Sequence, residues 1–279
     1  MRTRLSPLIL SKNEEYNKRE MQMINPMSME GRNIIVTGAS QGVGEAAADL
    51  IVKLGGRAIL VDVQGDKLEV VAEKLGAGNA EVHVGSVADP GFVQDMVNKA
   101  VASSGAVHGL VNNAGIVRAA MINKMPVETW QQVIDVNLSG VFYCLQAVGR
   151  HMIERANDGD KNPGSIVNIS SIAGRRGTIG QINYGAAKAG VLGITMSAAK
   201  EWGRYGIRVN SACFGIVETE MTETIRSDKF RDSYMSQVVL QRFSSPEEVV
   251  KSVCFLLSDA SSYVTGQHLT IDGGSHIGF

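Results

Sequence analysis

Tyr184 and Lys188 lie four residues apart in NYGAAKAG, a spacing that puts both side chains on one face of a helix. A phenol beside an ammonium suggests proton transfer. Tyrosine ordinarily titrates near about 10, so bringing it to neutrality needs about 4 kcal/mol of preference for the phenolate. One cation at about 4 Å in an effective dielectric of about 20 offers that much, so Lys188 is expected to lower the Tyr184 pKa. Ser171 comes thirteen residues earlier, just after the β-branched run SIVNIS. Its hydroxyl can hydrogen-bond a carbonyl or alcohol oxygen while Tyr184 gives or takes the proton.

A second constellation is TGASQGVG at 37–44. Placed between a strand-like run and an amphipathic helix, Gly38, Gly42 and Gly44 allow a sharp turn and a close approach to a pyrophosphate, with N–H groups of the helix start to meet its charge. Ser40, Gln41 and Val43 complete that loop. Asp62 ends the run AILVD, 24 residues after Gly38, near the ~20-residue offset of a carboxylate that accepts from a ribose diol. This favours NAD over NADP: a 2′-phosphate would meet the carboxylate, and neither Gln41 nor Val63 supplies a compensating cation. The competing reading makes Asp62 a cap for the helix that follows.

The elements that must position these residues alternate regularly. Runs at 33–38, 58–62, 81–85, 109–115, 165–170, 207–213 and 268–274 are apolar on both faces, as strands covered on both sides are. Helical patterns occupy 43–54, 66–75, 91–104, 126–155, 183–203 and 246–258. The pattern predicts an α/β fold, a single doubly wound domain over 29–279 with a parallel sheet of about seven strands and helices on both faces. Small residues around much of the 183–203 helix predict close packing on more than one side, and ERANDGDKNPGS (154–165) is expected to be a surface loop. Residues 1–28 lack a sustained period and read as a mobile N-terminal extension or as a partner-binding arm.

Composition narrows the function classes. The 279-residue chain is 44% hydrophobic and 20% charged with a net charge of -1, so disorder is excluded and no broad field for nucleic acid or anionic membrane arises. No run approaches the ~20 apolar residues of a membrane helix. Cys144, Cys213 and Cys254 form no paired framework, so a cytoplasmic setting is expected, and the histidines show no metal-ligand spacing.

These motifs together resemble the classical short-chain dehydrogenase/reductase family from about Gly31 to Phe279. TGASQGVG is similar to its cofactor loop, NNAG (112–115) to its fourth-strand motif, ISSIAG (169–174) to its serine motif and YGAAK (184–188) to its Tyr–Lys pair. The resemblance implies a Rossmann fold and a nicotinamide cofactor that carries the hydride. It implies that Ser171 orients substrate, that Tyr184 is the acid/base, that Lys188 lowers its pKa and holds the ribose, and that Asn137 positions a water. Cofactor contacts are implied for Asn113, Ala114, Gly115, Gly215, Val217 and Thr219. Ser86, followed by Val87, stands where the family commonly has an aspartate near the adenine, and Phe214 replaces a proline before Gly215, placing a large apolar side chain beside the reaction centre.

Met221, Ile225, Phe230, Tyr234 and Met235 read as a substrate lid or as a helix packed on the core, with Met221, Ile225 and Phe214 as substrate contacts. Arg175 and Arg176 read as a solvated turn or as an anion contact. The resemblance implies NAD(H)-dependent interconversion of a secondary alcohol and a ketone by a homotetramer or homodimer. Two rivals stand beside it. One is a 3-oxoacyl-thioester reductase, whose family members usually use NADPH and to which RFSSPEEV (242–249) is similar. The other is a catalytically silent scaffold sharing the fold.

Overall fold

The computed structural model describes residues 25–277. Seven strands form one parallel sheet: β1 (Asn33–Thr37), β2 (Arg57–Asp62), β3 (Ala80–Val84), β4 (Gly109–Asn112), β5 (Ser165–Ser171), β6 (Arg208–Phe214) and β7 (His268–Ile271). Their order is β3-β2-β1-β4-β5-β6-β7, and every pairing is parallel. The chain winds outward from β1 to β3, then returns to lay β4 on the other side of β1. That reversal opens a crevice at the carboxyl ends of β1 and β4.

Strand periodicity splits the core in two. Ile34 and Val36 belong to one buried cluster, Ile35 to the other. The first cluster is closed by α1 (Gly42–Lys53), α2 (Gly65–Leu75) and, later in the chain, the helix Pro246–Leu257. The second is closed by α3 (Pro90–Ser104), by the helical stretch after β4 and by the long helix Ile182–Trp202. Asp89 starts α3 by accepting from Gly91 N at 2.8 Å and Phe92 N at 3.2 Å, with Pro90 preset for the first turn.

The single helix expected over 126–155 is divided. α4 (Val127–Ile134) passes into a π-helical turn (Asp135–Ser139), which runs on into α5 (Gly140–Asn157). The wider turn accommodates Asn137, whose buried amide both donates to Ile116 O and accepts from Ile116 N at 2.9 Å. The helix predicted near 183–203 is α6 (Ile182–Trp202), and Gly190 admits Leu138 against it; an added Cβ would lie 2.8 Å from Leu138 Cδ1.

The polar loop after α5 is held by Arg155, which donates to Val107 O at 2.8 Å and Pro163 O at 2.9 Å. At the amino end, Pro26 O accepts from Ala260 N at 2.9 Å and Met29 is fully buried. The rest of the expected extension, residues 1–24, lies outside the described residues.

The segment expected to be a lid or a packed helix is a 3₁₀ turn (Glu220–Thr222), one helical turn (Glu223–Arg226) and α7 (Asp228–Met235). α7 has no buried residue, so it is not a helix of the core. α8 (Pro246–Leu257) then leads to β7. Arg208 closes the carboxyl end of α8 by donating to the carbonyls of Leu256, Leu257 and Ser258.

Candidate active site

A cleft of about 530 Å³ lies at the carboxyl ends of the central strands. Thr37 and Asn113 set its floor. The Thr37 hydroxyl accepts from Asn113 N and Ala114 N at 3.0 Å each, and Asn113 Nδ2 donates to Thr37 O at 3.0 Å and Gly38 O at 3.1 Å. Asn113 therefore lines the cleft with its amide spent on fastening β4 to the loop after β1.

Gly38 and Gly42 both take positive φ, 66° and 58°. A Cβ on Gly38 would lie 2.9 Å from Ala114 Cα, and one on Gly44 only 1.9 Å from Gly38 O. The glycines thus bring α1 hard against the loop. Gln41 supplies no side-chain cap to α1, so its opening N–H groups have no side-chain partner, and Gly42 and Val43 line the cleft. That arrangement fits the pyrophosphate of a dinucleotide.

Asp62 lies at one end of the cleft, where its two oxygens accept from Ser40 N at 3.2 Å and Gln64 N at 3.1 Å. Gln64, not Asp62, is the cap residue of α2. Ser86, Val87, Ala114 and Gly115 line the same space, as do Gly215, Val217 and Thr219 toward β6. Ser40 and Gly44 are buried behind the wall instead, and act through backbone position. Asn137 is also behind it; its amide holds Ile116, itself a cleft residue, through one donated and one accepted hydrogen bond.

Ser171, Tyr184 and Lys188 meet at the other end of the cleft. Ser171 Oγ accepts from Ala173 N at 3.1 Å, which pins the hydroxyl at the end of β5. Lys188 Nζ donates to Ile169 O at 2.8 Å and lies 5.7 Å from the centre of the Tyr184 ring. Burial pushes the phenol up to about 12, with the Ser171 hydroxyl pulling the other way. The same burial pushes Lys188 down to about 8. The shift of Tyr184 is therefore opposite to the one its spacing from Lys188 suggested. Desolvation favours the neutral form of both groups.

One substrate expectation changes. Phe214 lines the cleft and, at 6% exposure, packs in the same apolar cluster as the cleft residues Ile169 and Val217. Ile225 does not line the cleft. Arg226 ties its turn back to Thr222 Oγ1 at 3.2 Å and Thr219 O at 3.0 Å, and Glu220, Met221 and Thr222 are the cleft residues of this segment. Arg175 and Arg176 are exposed and bond to the chain's own end, Thr270 Oγ1 at 2.7 Å and Ser275 O at 3.2 Å. The residues not foreseen include Ile116, Val136 and Ser170 on the walls and Glu220 at the rim. Only their meeting across elements marks them.

Residues 38–276 match the family model described as enoyl-(acyl carrier protein) reductase. The chain is a short-chain dehydrogenase/reductase. It is 43% identical over 250 residues to a 3-oxoacyl-[acyl-carrier-protein] reductase of Thermotoga maritima, covering 89% of this chain and 99% of the relative. It is 39% identical over 254 residues to an acetoacetyl-CoA reductase of Synechocystis, covering 90% and 98%. A short-chain type dehydrogenase/reductase from Mycobacterium marinum superposes with a TM-score of 0.85 at 30% identity, covering 91% of this chain and 99% of the other. The short-chain dehydrogenase/reductase described here is thus an oxidoreductase acting on CH–OH or ketone groups with a nicotinamide cofactor. Among the described residues, no helix is long and apolar enough to cross a membrane.

Proposed function

We propose that this enzyme reduces a 3-oxoacyl thioester to the 3-hydroxyacyl thioester with NADH. The observation that carries the reading is the meeting of the Tyr184 phenol, the Ser171 hydroxyl and the buried Lys188 ammonium at one end of the cleft. Two hydroxyls converging on one point suit an oxygen, so Ser171 orients the carbonyl and Tyr184 donates to it as the carbonyl becomes an alcohol. When bound, the nicotinamide supplies the hydride that the carbonyl carbon takes. Lys188, beside Tyr184, would hold the ribose of the bound cofactor. The names of the relatives support the thioester: both are reductases of 3-oxoacyl groups. Asp62 supports NADH, because a carboxylate at that end accepts from ribose hydroxyls and repels a phosphate. In this reading the enzyme works in the cytoplasm as a homodimer or homotetramer, supported by the outer side of α6, where Ile182, Ala186, Ala189 and Met196 are exposed in the single chain.

The test is fluorescence titration with NADH and NADPH, followed by rates on acetoacetyl-CoA and on a 2-enoyl thioester. We expect tighter binding of NADH and turnover of the 3-oxo substrate. Tyr184→Phe is expected to lower turnover by about 10²–10⁴-fold while NADH still binds. Tighter NADPH would overturn the role of Asp62. Turnover of the enoyl substrate alone would overturn the carbonyl reading.

A further inference from the structure

Lys67 stands in the first turn of α2, five residues after Asp62. Its Nζ donates to Gln41 Oε1 at 2.6 Å and lies 4.0 Å from Glu220 Oε1. Gln41 Nε2 in turn donates to Glu220 Oε2 at 3.1 Å. Gln41, Asp62 and Glu220 all line the cleft, so two of its residues, Gln41 and Glu220 from separate segments, hold the Lys67 ammonium beside it.

Charge at this end is otherwise unbalanced. Asp62 and Glu220 are both carboxylates, and Lys188, beside Tyr184, is the only cationic side chain among the described residues that line the cleft. Asp62 is fixed, with one backbone N–H on each oxygen. Lys67 is not. Its side chain is 49% exposed and that of Glu220 73%, and a pair so open to water holds its partners weakly. An ammonium of this kind can exchange an amide oxygen and a distant carboxylate for a phosphate, with which it forms a charge-assisted hydrogen bond.

We infer that Lys67 is a specificity-determining residue for the cofactor: its ammonium, carried by Gln41 and restrained by Glu220, allows this Asp62-bearing site to accept a dinucleotide with an extra phosphate on its adenine ribose. Asp62 sets the direction of the preference, and the Lys67–Gln41–Glu220 cluster sets its size. The inference rests on the reading of the cleft as a nicotinamide-cofactor site.

The test compares the full-length wild-type chain with Lys67→Met and Glu220→Gln by fluorescence titration of NADH and NADPH, with thermal melts to establish that each variant folds. Lys67→Met is expected to weaken NADPH at least tenfold and NADH less than twofold. Glu220→Gln is expected to tighten NADPH severalfold. NADPH binding should also weaken more steeply with salt in the wild type than in Lys67→Met. Equal losses for both cofactors, or no loss for either, would overturn the inference while leaving the cleft a cofactor site. Failure of the wild type to bind either cofactor would overturn the cofactor reading itself.

Discussion

Lys188 is 3% exposed, and burial holds its pKa at about 8 against an ordinary 10.5. Because the folded value lies below the unfolded one, the folded chain binds fewer protons between those values, and stability rises with pH across that window. The penalty is fully present below about 8 and is gone by 10.5. At neutral pH it is worth about 3 kcal/mol, less about 1 kcal/mol for the hydrogen bond to Ile169 O. Lys188→Met is therefore expected to be more stable at pH 7 by about 2 kcal/mol in urea denaturation, with the gain closing as the pH approaches 10.5. A variant no more stable than wild type at pH 7 would contradict this account. The Tyr184–Lys188 pair was legible in the sequence because it needs only helical spacing. The direction of the Tyr184 shift was not, because desolvation depends on what the rest of the chain packs around the pair.

Gly44 shows how an element is placed by a single absent atom. The 1.9 Å from its ideal Cβ to Gly38 O is a clash with backbone, which no rotamer can relieve, and Asn113 Nδ2 is 2.8 Å from the same point. Gly44→Ala must push α1 away from the loop that it closes. We expect a loss of about 1–3 kcal/mol in stability, the usual range for overpacking, together with loss of NADH binding. A variant that melts and titrates like wild type would refute the tight packing of α1. The glycine spacing was readable because it is local. The π turn at Asn137 was not, since its reason is a pair of hydrogen bonds to Ile116, 21 residues away.

At the scale of the molecule, two histidines brace the edge opposite the cleft. His108 Nδ1 accepts from Asn33 N at 3.1 Å, and His151 Nε2 accepts from Val107 N at 3.1 Å. Both rings must be neutral at those nitrogens. Burial pushes His108 down to about 4, helped by Arg155 and Arg32 and opposed by Asp160. His151 is lowered by burial and Arg155, with Glu154 opposing. The folded values lie below the unfolded value of 6.5, so the unfolded chain binds more protons and stability falls as pH drops through 6.5 toward 4. The midpoint of urea denaturation is expected to fall between pH 6.5 and 5. His108→Gln, which keeps an acceptor without a titrating ring, should flatten that fall. An equally steep fall in the variant would locate the acid sensitivity elsewhere.

The sequence by itself determined the order of elements, the parallel sheet, the glycine loop after β1 and the shared face of Tyr184 and Lys188. Each follows from periodicity or from neighbours within a few residues, where chain geometry leaves few choices. Only the tertiary structure decided that Phe214 joins the core cluster to the cleft wall, that Asn113 and Asn137 bond backbone through their amides, and that Lys67 reaches Gln41 and Glu220 at the rim of the cleft. Those outcomes depend on which distant segments exclude water and supply hydrogen-bond partners at a given point, and that is a property of the packed chain rather than of any stretch of it.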